Sequence, residues 1–139
     1  MNLRIALSAL LLTAGLATAS DWPSFRGPDA SGVSADKGLP TTWGPTENVK
    51  WKATTPGRSV SSPVVFGNNL YLTSASGAQG ERLHVQCFAA DTGKLLWHRQ
   101  LTATGNTGCH PKSSMAAPTP CANADGVYCL FATDRKSVV

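Results

Sequence analysis

Charge is scarce in this chain: Asp, Glu, Lys and Arg together make up 14% of 139 residues, with a formal net charge of +4. The cations are scattered, and the longest basic run is Arg135-Lys136, so the clustered Lys and Arg that displace counterions from nucleic-acid phosphates are absent. Long apolar runs are lacking too. Only Ile5 to Leu16 is continuously apolar in character, and it is shorter than the roughly 20 residues that span a bilayer, so no transmembrane segment is expected. Missing as well are G-x-S-x-G, a P-loop, a dinucleotide fingerprint and C-x-x-C-H, which removes the sequence basis for a serine esterase, nucleotide binding or covalent haem.

What is present begins with an export pattern. Arg4 supplies a positive start, Ile5 to Leu16 an apolar stretch, and Ala17-Thr18-Ala19 a small-residue cleavage site. Residues 1–19 are therefore read as a signal peptide, the mature chain starts at Ser20, and the location is periplasmic or secreted. In that oxidising setting Cys87, Cys109, Cys121 and Cys129 suggest a disulfide. The pair Cys87 and Cys109 brackets one predicted strand, while Cys121 and Cys129 end two consecutive strand-like runs. Zinc is the weaker alternative, because no C-x-x-C or H-x-x-x-H spacing accompanies the adjacent Cys109-His110.

Abundant turn residues, and apolar runs of strand length between them, predict an all-β protein. Ser62 to Phe66, Asn69 to Ser74, Leu83 to Phe88 and Leu95 to Gln100 are strand candidates, joined at Gly67-Asn68, Ser76 to Glu81 and Asp91 to Gly93. Asn48 to Lys52 alternates and reads as a further, earlier strand. A second copy starts at Ala116-Ala117-Pro118, echoing Ser61-Ser62-Pro63, and continues through Gly126 to Phe131, echoing Asn69 to Thr73.

The stretch Ala89 to Trp97, with Thr92, Gly93, Lys94 and Trp97, resembles the A-x-D-x-x-T-G-K-x-x-W repeat of PQQ-like (quinoprotein-like) β-propellers. The Trp-Pro-x-Phe-Arg-Gly opening at Trp22 to Gly27 resembles the arm of secreted members from planctomycete bacteria. The resemblance implies one full four-stranded blade, half of a second, and an extended N-terminal arm over 20–47 that lays Trp22, Phe25 and Trp43 across the propeller. The blades occupy 48–133, with Asn48 to Lys52 expected to pair with chain from the ring's C-terminal end. Because Cys87 and Ala89 stand where the motif has Ala and Asp, docking between blades is expected to rest on a buried Trp97. A ring needs more blades than these, so the chain is expected to be an N-terminal fragment. Residues 134–139 break the pattern and can be encoded by the start of a common sequencing adaptor, which marks them as an artefactual tail.

Chemistry-bearing constellations are few. Asp91-Thr92-Gly93 matches half of an aspartic-protease site without its second loop, and Ser34-Ala35-Asp36-Lys37 matches S-x-x-K outside any helical pattern. His84 and His98 read as cross-strand neighbours on a solvated face. His110 and Lys112 lie in the long connector Thr102 to Ser114 and are the candidate loop-binding residues. No catalytic, metal or cofactor-binding residue is assigned, and neither PQQ nor calcium is supported. The expected function is a binding or scaffold module for a protein or small molecule at the loop face. The alternatives that the family leaves open are a periplasmic quinone-dependent oxidoreductase and an outer-membrane protein-assembly propeller, the latter disfavoured because Ser20, not Cys, follows the signal.

Overall fold

The computed structural model describes residues 20–133 and the strand pair 137–138. The signal-peptide reading of 1–19 falls outside these residues. All regular structure among them is β: β1 Val64–Phe66, β2 Asn69–Ser76, β3 Arg82–Ala89, β4 Leu95–Thr102, β5 Cys121–Asn123, β6 Gly126–Cys129 and β7 Ser137–Val138. Strands β1 to β4 form an antiparallel meander in chain order, and β5 to β7 form a second antiparallel sheet. No helix among the described residues is long and apolar enough to cross a membrane.

Local chemistry sets the meander. Gly67 takes φ 58° at the first central position of a two-residue hairpin, the place where a type II′ turn needs glycine. Between β3 and β4, Gly93 is left-handed at φ 71° and donates its N–H to Ala89 O at 2.8 Å, while Ala89 N–H returns to Lys94 O at 2.9 Å. The register of β4 then shifts where Cys87 meets Trp97 and Phe88 meets Leu95, leaving Leu96 as the extra residue of a bulge.

Alternation divides the meander into two faces. One carries Tyr71, Ala75, Leu83, Val85 and Cys87, which with Val64 bury against Met115, Ala116, Ala122, Val127, Cys129 and Phe131. The two sheets thus share one core. Strand β5 begins 57 residues after β1, and β6 57 residues after β2, so the repeat seen in the sequence is a repeat of paired strands. Ser62 N–H donates to Thr119 Oγ1 across the junction at 3.0 Å.

Three expectations are corrected. Asn48 to Lys52 is not a strand: Asn48 sits in a turn at φ 55°, its side-chain amide donating to Thr42 O, and residues 49–52 pair with no strand among the described residues. In the arm, only Trp22 docks, exchanging two backbone hydrogen bonds with Val65 and covering Gly27 with its ring. Phe25 and Trp43 are 65% and 66% exposed, since the arm is fastened through the Asp21 carboxylate and the backbone of Trp22 and Pro23 and not through its later aromatics. Trp97 is half-buried in the middle of the edge strand β4, its ring centroid 6.0 Å from that of Tyr71. Ser137–Val138 pairs with Tyr128–Cys129, whereas 134–136 and 139 of the proposed tail lie outside the described residues.

Candidate functional site

The tryptophan that holds the Thr-Gly-Lys turn is Trp51. Its Nε1–H donates to Ala90 O at 3.0 Å, and its ring stacks on Phe88 at 6.5 Å and 26°. A Cβ on Gly93 would lie 2.5 Å from the indole, so the glycine is needed for contact as well as for φ. Seven positions later Arg58 forms an isolated antiparallel bridge with Ala75, and Gly57 packs so tightly that a Cβ there would meet Ala75 O at 2.1 Å. Residues 51–58 are therefore a strap fixed at both ends. Its greatest possible reach, roughly 24 Å over seven peptide steps, is enough to run the length of β2, which has the same number of residues.

At the Arg58 end of the strap, three loops enclose a cleft of about 560 Å³. The β2–β3 loop contributes Gly77 to Gly80, the β4–β5 connector contributes Gly105 to Cys109 and Ser113 to Met115, and the strap contributes Arg58. Backbone bonds hold these pieces in place. Arg58 exchanges hydrogen bonds with Ala75 at 2.8 and 2.9 Å, Ser114 Oγ donates to Arg58 O at 3.1 Å, and Ala103 N–H donates to Glu81 O at 2.8 Å. The Arg58 guanidinium donates to Pro111 O. Among the described residues Arg58 is the single charged side chain lining the cleft. Glu81, just outside, is occupied: its own backbone N–H and that of Gln79 hold its carboxyl below the usual range, and it lies 3.8 Å from Arg82.

His110 and Lys112 are exposed and do not line the cleft. Lys112 N–H donates to His110 Nδ1 at 3.1 Å and Ser113 N–H donates to His110 O at 2.7 Å, so His110 shapes the connector from its outer side. Thr92 and Lys94 are exposed at the opposite end of the sheet, where Thr92 Oγ1 accepts the Lys94 N–H at 3.4 Å. All four cysteines are free thiols. Cys87 is sealed in the core and Cys109 is exposed in the cleft wall, so no disulfide joins the expected pair. Burial, with a smaller contribution from nearby Cys121, pushes the Cys129 thiol up to about 12. Cys87 is raised by burial alone.

His84 and His98 are neighbours, as expected, but the face is not solvated at His84, which is 2% exposed. Ser76 Oγ lies 2.8 Å from His84 Nε2, and His84 Nδ1 lies 3.0 Å from His98 Nε2. Burial first, then the charges of His98 and Arg82, hold His84 below its ordinary 6.5. This connectivity is that of a hydroxyl, its base and an orienting group. The cleft does not use it. Ala75 and Gly77 line the cleft while Ser76, alternating with them along the strand, points to the other face against Gly57. Ser74 Oγ and Gln86 Oε1, buried on that same face, have no hydrogen-bond partner among the described residues.

Arg58 carries no motif in the sequence, and nothing short of the convergence of three loops brings it out. Fold and cleft together define an all-β chain with a mixed polar and apolar cleft built from loops at one end of a shared-core pair of sheets. No protein-family model matches the chain, and no curated protein is similar enough to count as a relative.

Proposed function

We propose that the chain belongs to an exported PQQ-like β-propeller repeat protein that acts as a binding or scaffold module, with the cleft at Arg58 as its binding site. The observation that carries this reading is the separation of recognition from acid–base chemistry. Groups suited to recognition, a guanidinium with Asn106, Ser113 and Ser114, line the cleft, whereas the Ser76–His84–His98 chain lies on the other face of β2. The strap-and-turn contact at Gly93 and the repeat of β1–β2 in β5–β6 support the propeller assignment. Loops at one end of packed sheets are where such scaffolds place ligands.

Hydrogen–deuterium exchange on the intact exported protein, screened against small molecules and short peptides, tests the reading. Protection is expected at 77–80 and 105–115. Ligand protection confined to other surfaces refutes the site, and turnover of any screened compound refutes the non-catalytic module. N-terminal sequencing should find Ser20 first.

A further inference from the structure

We infer that the cleft selects ligands bearing an oxyanion, a carboxylate, sulfate or phosphate group that seats against Arg58. This rests on the reading of the cleft as the binding site and names the chemistry it recognises.

The cation is pre-positioned before any ligand arrives. Two backbone hydrogen bonds to Ala75 and one from Ser114 fix the Arg58 main chain, and the Pro111 carbonyl takes one guanidinium N–H. A guanidinium has five N–H donors in a planar fork, so the rest of the fork stays open. No carboxylate uses it: the one ion pair among the described residues joins Arg82 to Glu81. Among the described residues the other lining groups are uncharged, and the Glu81 carboxylate that packs on Gly77 is turned to its own N–H, that of Gln79 and Arg82. The peptide N–H groups of Ala78 and Thr107, both lining residues, also donate to no protein acceptor among the described residues. A planar cation and open amides lining one cleft suit oxyanion lone pairs, and Gly80, where even a Cβ would come no closer than 3.7 Å to Met115 Cγ, leaves room for close approach.

The test titrates intact protein with inorganic phosphate, sulfate and acetate in separate arms, following the backbone amide resonances of Gly77, Gly80, Gly105 and Gly108. At least one anion should shift these resonances saturably, and the arm that binds most tightly identifies the class. Arg58→Ala should weaken that binding at least tenfold, the loss of one charged hydrogen bond. Arg58→Lys, which keeps the charge and loses the fork, should fall between the two. Arg82→Ala, the exposed cation outside the cleft, should bind as wild type does. Equal affinity in wild type and Arg58→Ala, with both folded by their amide spectra, overturns the inference. If an uncharged ligand such as N-acetylglycinamide shifts the same glycines while all three anions fail, the oxyanion inference falls and the binding cleft stands. If nothing shifts them, both fall.

Discussion

Gly93→Ala should destabilise the protein by about 3 kcal/mol, and Gly67→Ala should show how much of that comes from contact and how much from backbone. Both glycines are left-handed, at φ 71° and 58°, and an L-residue held there costs about 1–2 kcal/mol. Around Gly67 a new Cβ meets nothing within 4 Å, so Gly67→Ala should lose that amount and no more. At Gly93 the methyl group would sit 2.5 Å from the Trp51 ring, between the indole and the turn. The indole must leave, and with it go the hydrogen bond to Ala90 and the stack on Phe88. Each is worth about 0.5–1.5 kcal/mol, which gives Gly93→Ala an excess of about 2 kcal/mol over Gly67→Ala. Urea denaturation of the intact protein, followed by tryptophan fluorescence, reads this directly. With a slope of about 2 kcal/mol per molar, Gly93→Ala should lower the midpoint by about 1.5 M. In a Trp51→Ala background the excess should vanish, because the two changes remove one contact. Equal midpoints for Gly93→Ala and Gly67→Ala would refute the claim that Trp51 clasps this turn.

Stability should also fall with acid in a way that depends on His84. Its folded value lies below the ordinary 6.5, so below that pH the unfolded chain binds the extra proton first and the folded state loses ground; the contribution is whole above 6.5 and declines beneath it. Melting temperatures from about pH 7.5 to 5.5 should drop less steeply in His84→Gln than in wild type, and parallel slopes would sink the assignment. The thiols should divide by burial and acidity: Cys109 and Cys121 should react with Ellman's reagent at about pH 8 in the native protein, and Cys87 and Cys129 only after denaturation. Peptide mapping that finds native Cys129 modified as fast as Cys121 would count against the buried placement.

The strands were legible because their signals are local. Gly67-Asn68 and Asp91 to Gly93 mark turns by their own chemistry, and the apolar runs between them become β1 to β4 within two residues at each end. The second sheet was visible as an echo of Pro63 and Tyr71 in Pro118 and Tyr128. Contacts set by other parts of the chain were not legible. Trp51 and Trp97 are both indoles near strand-like runs, and no spacing says which one covers Gly93. His84 sits in an alternating polar pattern that reads as solvated, yet its strand is central and buried on both faces. The candidate site was partly placed: the connector around His110 does build the cleft, but through Cys109 and Ser113 on its inner side. Arg58 escaped because a single arginine in a Pro-Gly-Arg turn looks like any exposed cation.

The strap also sets a schedule. Trp51 waits for Ala90, 39 positions further on, and the Arg58 backbone waits for Ser114, 56 positions further on. A chain made from its N-terminus at about 5–20 residues per second leaves the Trp51 indole without its acceptor for about 2–8 s after it is synthesised. The segment made first among these is therefore seated after the strands it crosses, and the cleft closes only when the connector arrives. The cleft is a late product of synthesis, and a chain interrupted between Thr102 and Pro111 would hold a complete first meander with Arg58 still lacking its Pro111 and Ser114 partners and no cleft around it.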